Sequence, residues 1–336
     1  MSHKIVTMKD IAEVLGLSTS TVSRALSDSH EINIETKKRV LAYAESVNFQ
    51  QNPMAVSLKK GKSNSIGLIV CDVANYFFSQ VIDGVDSIAY ANGYHLIITQ
   101  SHDDHQREIE NLNHLAKRHI DGLLVAVASS TFDYDHFSQL HEKGIPMVFF
   151  DRDNPLGDIP SMTIKTYQSS FTATEYLIKK GCKKIGFLGH AEHLSTTKER
   201  RKAYLDALNK YGLNADASLM KYFNYGNSSS KDLEALITNL FSSANKPDAV
   251  FIASDRLSNA CLLFLKKFQE NNNIMLSGFN NSDMAELFSP SFSFIRQPAF
   301  ELGQNATKKL INLIVEKTKF NEDNFQELES TFHPYK

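Results

Sequence analysis

The chain has 336 residues and a mass of 37.8 kDa, enough for two or three folded units. It is 42% hydrophobic and 22% charged, which excludes a disordered chain, and its formal net charge of −2 excludes a uniformly basic nucleic-acid coat. The charge is uneven: residues 1–65 carry nine Lys/Arg against six Asp/Glu, and the remainder carries 27 against 32, so a polyanion partner is expected for the head alone.

Residues 1–50 read as short helices with tight turns. Thr7 followed by Asp10 resembles a capping box, Ile11, Ala12 and Leu15 recur on one helical face, and Gly16 supplies the left-handed residue that ends the helix. Ser18 is placed to cap a second helix with Val22, Ala25 and Leu26 as its buried stripe. A third is expected from Asn33 through Val40, Leu41, Ala44 and Val47. The second helix exposes Thr19, Ser20, Thr21, Ser23 and Arg24. Small hydroxyls are mediocre inside a helix, yet they let it sit close to a duplex and bond phosphates and base edges, while Arg24 can fork onto guanine. The bland alternative is a solvated bundle with Ser/Thr-rich caps.

Residues 51–65 form a polar, basic connector. From Ile66 onward, short apolar runs alternate with amphipathic stretches. The runs are Ile66–Val70, His95–Thr99, Gly122–Val127, Pro146–Phe150, Lys184–Leu188, Ala249–Ala253 and Ile274–Gly278. The helical stretches between them are Phe78–Ala91, Arg107–Lys117, Phe171–Lys180, Arg200–Tyr211, Leu233–Phe241 and Leu257–Gln269. Continuous apolar runs mark parallel strands buried on both faces. The pattern runs twice, opening at SIGLIV and again at KIGFLG. The expected fold class is therefore α/β: an all-α helix-turn-helix head plus two doubly wound lobes whose ligand lies between them, beyond the carboxyl ends of the strands.

The segment TMKDIAEVLGLSTSTVSRALSDS resembles the LacI/GalR family of bacterial transcription regulators, whose signature is TxxDIAxxxGVSxxTVSRxL; the resemblance continues through the whole chain. It implies that Thr19, Ser20 and Arg24 read bases in the major groove, that Ser18, Thr21 and Ser23 hold phosphates, and that Asn33 meets the DNA backbone. Thr7 joins this DNA-binding set. Residues 49–58, with Asn52, Ala55 and Leu58, resemble the family's YxPNxxAxxL hinge, which becomes helical on the operator; Leu58 stands where the family wedges a leucine between base pairs in the minor groove. Gln51 replaces the hinge proline, Pro53 appears two residues on, and Val56 replaces a residue that is often polar or basic.

The resemblance divides the chain into a DNA-binding head at 1–50, a hinge at 51–65 and an effector and dimerisation domain at 66–336 similar to periplasmic sugar-binding proteins. Lobe 1 is expected at about 66–160 and 293–319, and lobe 2 at about 161–292 and 320–336. Crossings are expected near Ser161, Phe292 and Phe320. The effector set implied is Asp72, Phe77, Phe78, Arg152 of the Asp151–Arg152 pair, Arg200, Phe251, Asp255 and Asn280. Charged forks with flat apolar surface suit a saccharide. Ser254 and Asn280 depart from the family's Asn and Asp, and the stretch Lys165–Ser169 is eroded.

The expected protein is a sequence-specific DNA-binding regulator, working as a homodimer on a pseudo-palindromic operator under control of a small ligand. The alternatives are an effector-independent regulator with a vestigial cleft and a solute-binding receptor. An enzyme is not expected: CDVANYFF after the first strand lacks GxGxxG, and P-loop, GxSxG and HExxH motifs are absent from the sequence. No cofactor and no metal site are expected, and His102 and His105 read as solvated. Three scattered cysteines, Cys71, Cys182 and Cys261, fit reduced thiols. The start MSHKIVTMKD lacks an apolar leader core and no run approaches ~20 apolar residues, so a cytoplasmic protein without membrane contact is expected.

Overall fold

A computed structural model of the chain describes residues 6–27, 31–49, 62–152, 156–242, 244–267, 274–288, 292–316 and 325–335. Two compact units divide at Ser63 and Asn64.

The described residues of the first unit form three helices. Helix α1 (Met8–Leu15) begins on a complete capping box, Thr7 Oγ1 accepting from the Asp10 amide and the Asp10 carboxylate accepting from the Thr7 amide, and it ends on Gly16 at φ 66°. Helix α2 (Thr19–Leu26) is capped by Ser18, whose hydroxyl accepts from the Thr21 amide at 3.1 Å. Helix α3 (Ile34–Ser46) is capped by Asn33, whose side chain accepts from Glu35 N at 2.8 Å. Ile11, Ala12, Val22, Ala25, Val40 and Ala44 close the core. Leu41 is exposed.

The second unit carries two six-stranded sheets. In chain order its elements are β1 (Ser65–Val70), α4 (Tyr76–Ala91), β2 (His95–Gln100), α5 (His105–Lys117), β3 (Gly122–Val125), α6 (Asp135–Glu142), β4 (Met147–Phe150), β5 (Ser161–Lys165), α7 (Tyr167–Lys179), β6 (Ile185–Gly189), α8 (Ser195–Lys210), β7 (Met220–Tyr222), α9 (Ser230–Ser242), β8 (Ala249–Ile252), α10 (Asp255–Lys267), β9 (Met275–Phe279), β10 (Phe292–Arg296), α11 (Ala299–Glu316), β11 (Phe325–Glu329) and β12 (Thr331–His333). The sheet of lobe 1 runs β11-β5-β4-β3-β1-β2 and that of lobe 2 runs β12-β10-β9-β8-β6-β7. Every pairing is parallel except β10 with β12.

Each sheet is covered on both faces, which is why its strands read as continuous apolar runs. In lobe 1, α4 and α11 cover one face through Val81, Val85, Leu302 and Leu310, and α5 and α6 cover the other through Leu112, Leu115 and Phe137. In lobe 2, α9 and α10 face α7 and α8 across the sheet. β5 and β11 lie in the lobe 1 sheet, β10 and β12 in the lobe 2 sheet, and α11 in the lobe 1 core. The chain therefore crosses at Thr166, at Gln297–Pro298 and at Ser330, each later than the crossings expected near Ser161, Phe292 and Phe320. Each crossing follows the end of a strand, β5, β10 or β11, and the crossings expected near Ser161 and Phe292 fall at the first residues of β5 and β10.

Candidate functional site: an interlobe cleft and a helix-turn-helix face

The loops after β1, β2, β4, β6 and β8 converge from the two lobes on one cleft. From lobe 1, Asp72 follows β1, and Asn75 caps α4 by accepting from Phe77 N at 2.8 Å, which fixes the first turn of that helix. Phe77 and Phe78 sit on that turn, nearly buried and edge to face at 5.2 Å, and both line the cleft. Asp103 follows β2 at φ 62°, and Asp151 and Arg152 follow β4, with Asp151 at φ 68°. Asp103 Oδ1 accepts from Arg152 Nη1 at 2.9 Å and from the Ser129 amide at 2.9 Å. Arg152 also donates to the Val127 carbonyl.

From lobe 2, His190 follows β6. Its Nδ1 accepts from the Ala191 amide at 2.6 Å, so a neutral ring carries its proton on Nε2, which lies 3.5 Å from Asp103 Oδ2 across the cleft. Arg200, on α8, donates from Nη1 to the Ala253 carbonyl at 2.9 Å and lies 3.8 Å over the Phe279 ring, while its buried Nε has no partner among the described residues. Asp255 opens α10. Its Oδ1 accepts from Asn281 N at 2.6 Å, and its buried Oδ2 has no partner among the described residues. Arg256 reaches over the Tyr225 ring at 3.7 Å and pairs with Asp72 at 3.2 Å across the lobes.

The electrostatics split this cluster. Burial pushes the Asp103 carboxyl up, but Arg152 and His190 outweigh it and hold it well below the usual carboxylate range. Burial dominates at Asp255, where the Asn281 amide and Arg200 only partly offset it, and the carboxyl is pushed up to about 6. Burial also raises Asp151, lowers His190, and brings Arg200 down to about 10. Asp255 and Arg200, each with one buried polar atom that has no partner among the described residues, both line the cleft. Groups of this kind are costly when left unpaired and are satisfied by a ligand bearing both donors and acceptors.

Of the effector residues expected from sequence, Asp72, Phe77, Phe78, Arg152, Arg200 and Asp255 come together at the cleft. Phe251 does not: it is fully buried in the lobe 2 core, stacked on Tyr204 at 6.5 Å, and it supports Phe279, the ring under Arg200. Asn280 is also buried away from the cleft, donating to Asn259 Oδ1 and accepting from Ser282 N, each at 2.9 Å. The sequence reading missed Asp103, His190, Tyr225 and Arg256 as lining residues. The rule that ligands gather beyond strand ends points at Asp103 and His190, since both follow β-runs that the sequence shows.

On the helix-turn-helix, Thr19, Ser20 and Arg24 are exposed along α2. Ser18 bonds Ser20 and Thr21 through its hydroxyl at 2.7 and 2.8 Å, and Thr21 and Ser23 are half-buried. Arg24 meets Glu31 at 3.4 Å with more than half of each side chain exposed, so the guanidinium remains available to a stronger anion. Thr7 and Asn33 cap α1 and α3. Asn52, Ala55 and Leu58 lie outside the described residues. No helix among the described residues is long and apolar enough to cross a membrane.

A small helix-turn-helix unit joined in one chain to a two-lobed α/β ligand-binding unit defines a class of DNA-binding transcriptional regulators. Residues 7–52 match the family model for bacterial regulatory proteins of the lacI family, and residues 63–336 match the model for periplasmic binding proteins and the sugar binding domain of the LacI family. The chain is 30% identical over 319 residues to the HTH-type transcriptional repressor PurR of Photobacterium profundum, covering 93% of each. It is 29% identical over 312 residues to the ribose operon repressor of Bacillus subtilis (strain 168), covering 92% of each. Its fold is similar to that of a lac repressor dimer bound to operator and the anti-inducer ONPF, at a TM-score of 0.77 and 19% identity over 98% of each chain. The chain belongs to the LacI family of bacterial regulatory proteins and is a DNA-binding transcriptional repressor; the relatives it matches are regulators, not enzymes.

Proposed function

We propose that the protein represses transcription in the cytoplasm as a homodimer, reading a pseudo-palindromic operator with Thr19, Ser20 and Arg24 of two α2 helices. A saccharide held between the lobes controls its operator affinity. The observation that carries the ligand reading is that Arg200 and Asp255, each with an unsatisfied buried polar atom, line one cleft together with the paired Phe77 and Phe78 rings. A polyol offers both donors and acceptors to such groups and one apolar face to such rings. The likeness to a ribose operon repressor supports the same class. One α2 helix covers too few base pairs for useful discrimination, and two copies multiply it, which supports the dimer. Ser18, Thr21, Ser23, Thr7 and Asn33 would hold the duplex backbone, and Asn52, Ala55 and Leu58 the minor groove.

Ligand acts here by favouring one lobe arrangement, and operator affinity follows the population of that arrangement. The test has two arms on the full chain. Enrichment from randomised duplexes is expected to return a two-fold symmetric site whose affinity falls as salt rises. A thermal-shift panel of pentoses, hexoses, disaccharides and nucleosides is expected to give a stabilising sugar. A stabilising nucleoside overturns the saccharide assignment, and no hit at all makes the protein an effector-independent regulator. Asymmetric or sequence-blind enrichment overturns the operator reading.

A further inference from the structure

Away from the cleft, lobe 1 buries a carboxylate that has no ion pair with lysine or arginine among the described residues. Glu108 lies on the first turn of α5 and is fully buried. Its Oε2 accepts from the Ala128 amide at 2.6 Å, and its Oε1 accepts from the Thr131 hydroxyl at 2.7 Å. Among the described residues its ion-pair contacts are two histidines: His136 Nε2 at 3.0 Å and His105 Nδ1 at 3.9 Å, both from Oε1. The Ala128 amide, the Thr131 hydroxyl and His136 satisfy the carboxylate with hydrogen bonds, and two imidazoles beside one buried carboxylate are also a donor set that a cation can share.

We propose that His105, Glu108 and His136 form a site for a divalent transition-metal ion of the zinc(II) type. The three ligating atoms already lie within 4.8 Å of one another. Four-coordinate zinc with N and O ligands at about 2.0–2.2 Å needs edges of about 3.4 Å, so closure takes side-chain shifts of an ångström or so. Two imidazoles and one carboxylate are the borderline donor set that zinc, cobalt and nickel prefer over calcium or magnesium. Ring packing orients the ligands, the His136 ring lying 4.0 Å from Phe137 and edge to face at 5.2 Å on His105, while the 3.2 Å contact between Thr131 and His105 Nδ1 is a hydrogen bond that metal at that nitrogen would replace. The His105 side chain is 31% exposed, which gives an ion a route in and water a place as the remaining ligand.

Bound metal would tie the start of α5 to the start of α6. The loops that lead into these two helices carry Asp103, two residues before His105, and Ser129, from whose amide Asp103 accepts. Metal at this site would therefore stiffen one wall of the cleft without touching its ligand.

The test is zinc(II) titrated into the chelator-stripped full chain against a chromophoric competitor, with cobalt(II) absorption as the geometric readout. Wild type is expected to take up one equivalent more than His105→Ala/His136→Ala, the site's affinity falling by more than ~100-fold in the double variant, and to give the intense visible bands of four-coordinate cobalt. His105→Asn changes a half-exposed position and leaves the Glu108–His136 hydrogen bond in place. It is expected to melt like the metal-free wild type while losing the same equivalent. Equal uptake by wild type and variants, or cobalt spectra of octahedral type only, overturns the proposal.

Discussion

Asp255 holds its carboxyl at about 6 because burial opposes its charge and only the Asn281 amide and Arg200 answer it. The unfolded chain titrates the same group near ~3.9, so between these values the folded state binds more protons and stability falls as pH rises. Two units of difference correspond to about 3 kcal/mol, all of it a cost in the ligand-free protein above pH 6. Asp255→Asn, which can still accept from Asn281 N, is expected to be about 1–3 kcal/mol more stable than wild type at pH 8, with the gap closing by pH 4. Urea unfolding at the two pH values measures it, and a gap independent of pH would refute the assignment. The same variant is expected to lose ligand stabilisation, since the acceptor offered to the cleft is gone. On the DNA side, Arg24 is more than half exposed and its ion pair with Glu31 contributes little to stability. Arg24→Ala is expected to weaken the selected operator by about 1–3 kcal/mol and to relax discrimination at one base position, with an unchanged melting temperature.

Among elements, the contact between α4 and α11 is set by two glycines. A Cβ on Gly84 would stand 2.1 Å from the Phe300 carbonyl oxygen, and one on Gly303 would stand 2.2 Å from that of Val81. Both obstacles are backbone, so the helices must part. Gly84→Ala is expected to destabilise the second unit by about 2–4 kcal/mol and to lower its melting temperature by several degrees in calorimetry. A loss under ~0.5 kcal/mol would mean that the helices slide freely. The central strands and the head helices were legible in sequence because each carries one strong signal: a continuous apolar run for β1, β3 or β8, and a cap with a 3.6-residue stripe for α1 and α2. β7, β11 and β12 were not, since three residues carry no period and FQELE at the sheet edge is mostly polar. Asp72, Arg152, Arg200 and Asp255 were legible through position after a strand or through the family's pattern. Phe251 was misread because it lies on β8 itself, where both faces are buried, and not beyond its carboxyl end. Arg256 and Tyr225 were illegible, because their role arises from the meeting of lobes far apart in sequence.

At the scale of the second unit, that meeting includes several polar contacts. Arg256 of lobe 2 pairs with Asp72 of lobe 1, Ser129 Oγ donates to Asn224 Oδ1 at 2.9 Å, His190 faces Asp103, and the Phe132 and His193 rings approach at 4.5 Å. Contacts of this kind set a closed arrangement that differs from an open one by a few kcal/mol, the range in which a ligand shifts populations. The Asp72–Arg256 pair is partly exposed, with 39% of the arginine side chain in solvent, so it is expected to contribute about 1 kcal/mol, or about fivefold in the ratio of closed to open forms. Asp72→Arg and Arg256→Asp each replace attraction by like charge across the gap. Each is expected to enlarge the radius of gyration of the ligand-free chain in small-angle scattering and to weaken the ligand about fivefold or more, while the double swap recovers most of the compactness. Recovery identifies the pair as a latch, because both exchanged side chains remain wrong for the ligand and only their mutual attraction has been restored. A double variant as open as the singles would assign closure to the other interlobe contacts, among them Ser129–Asn224, Gln80–Asn281 and Asp103–His190.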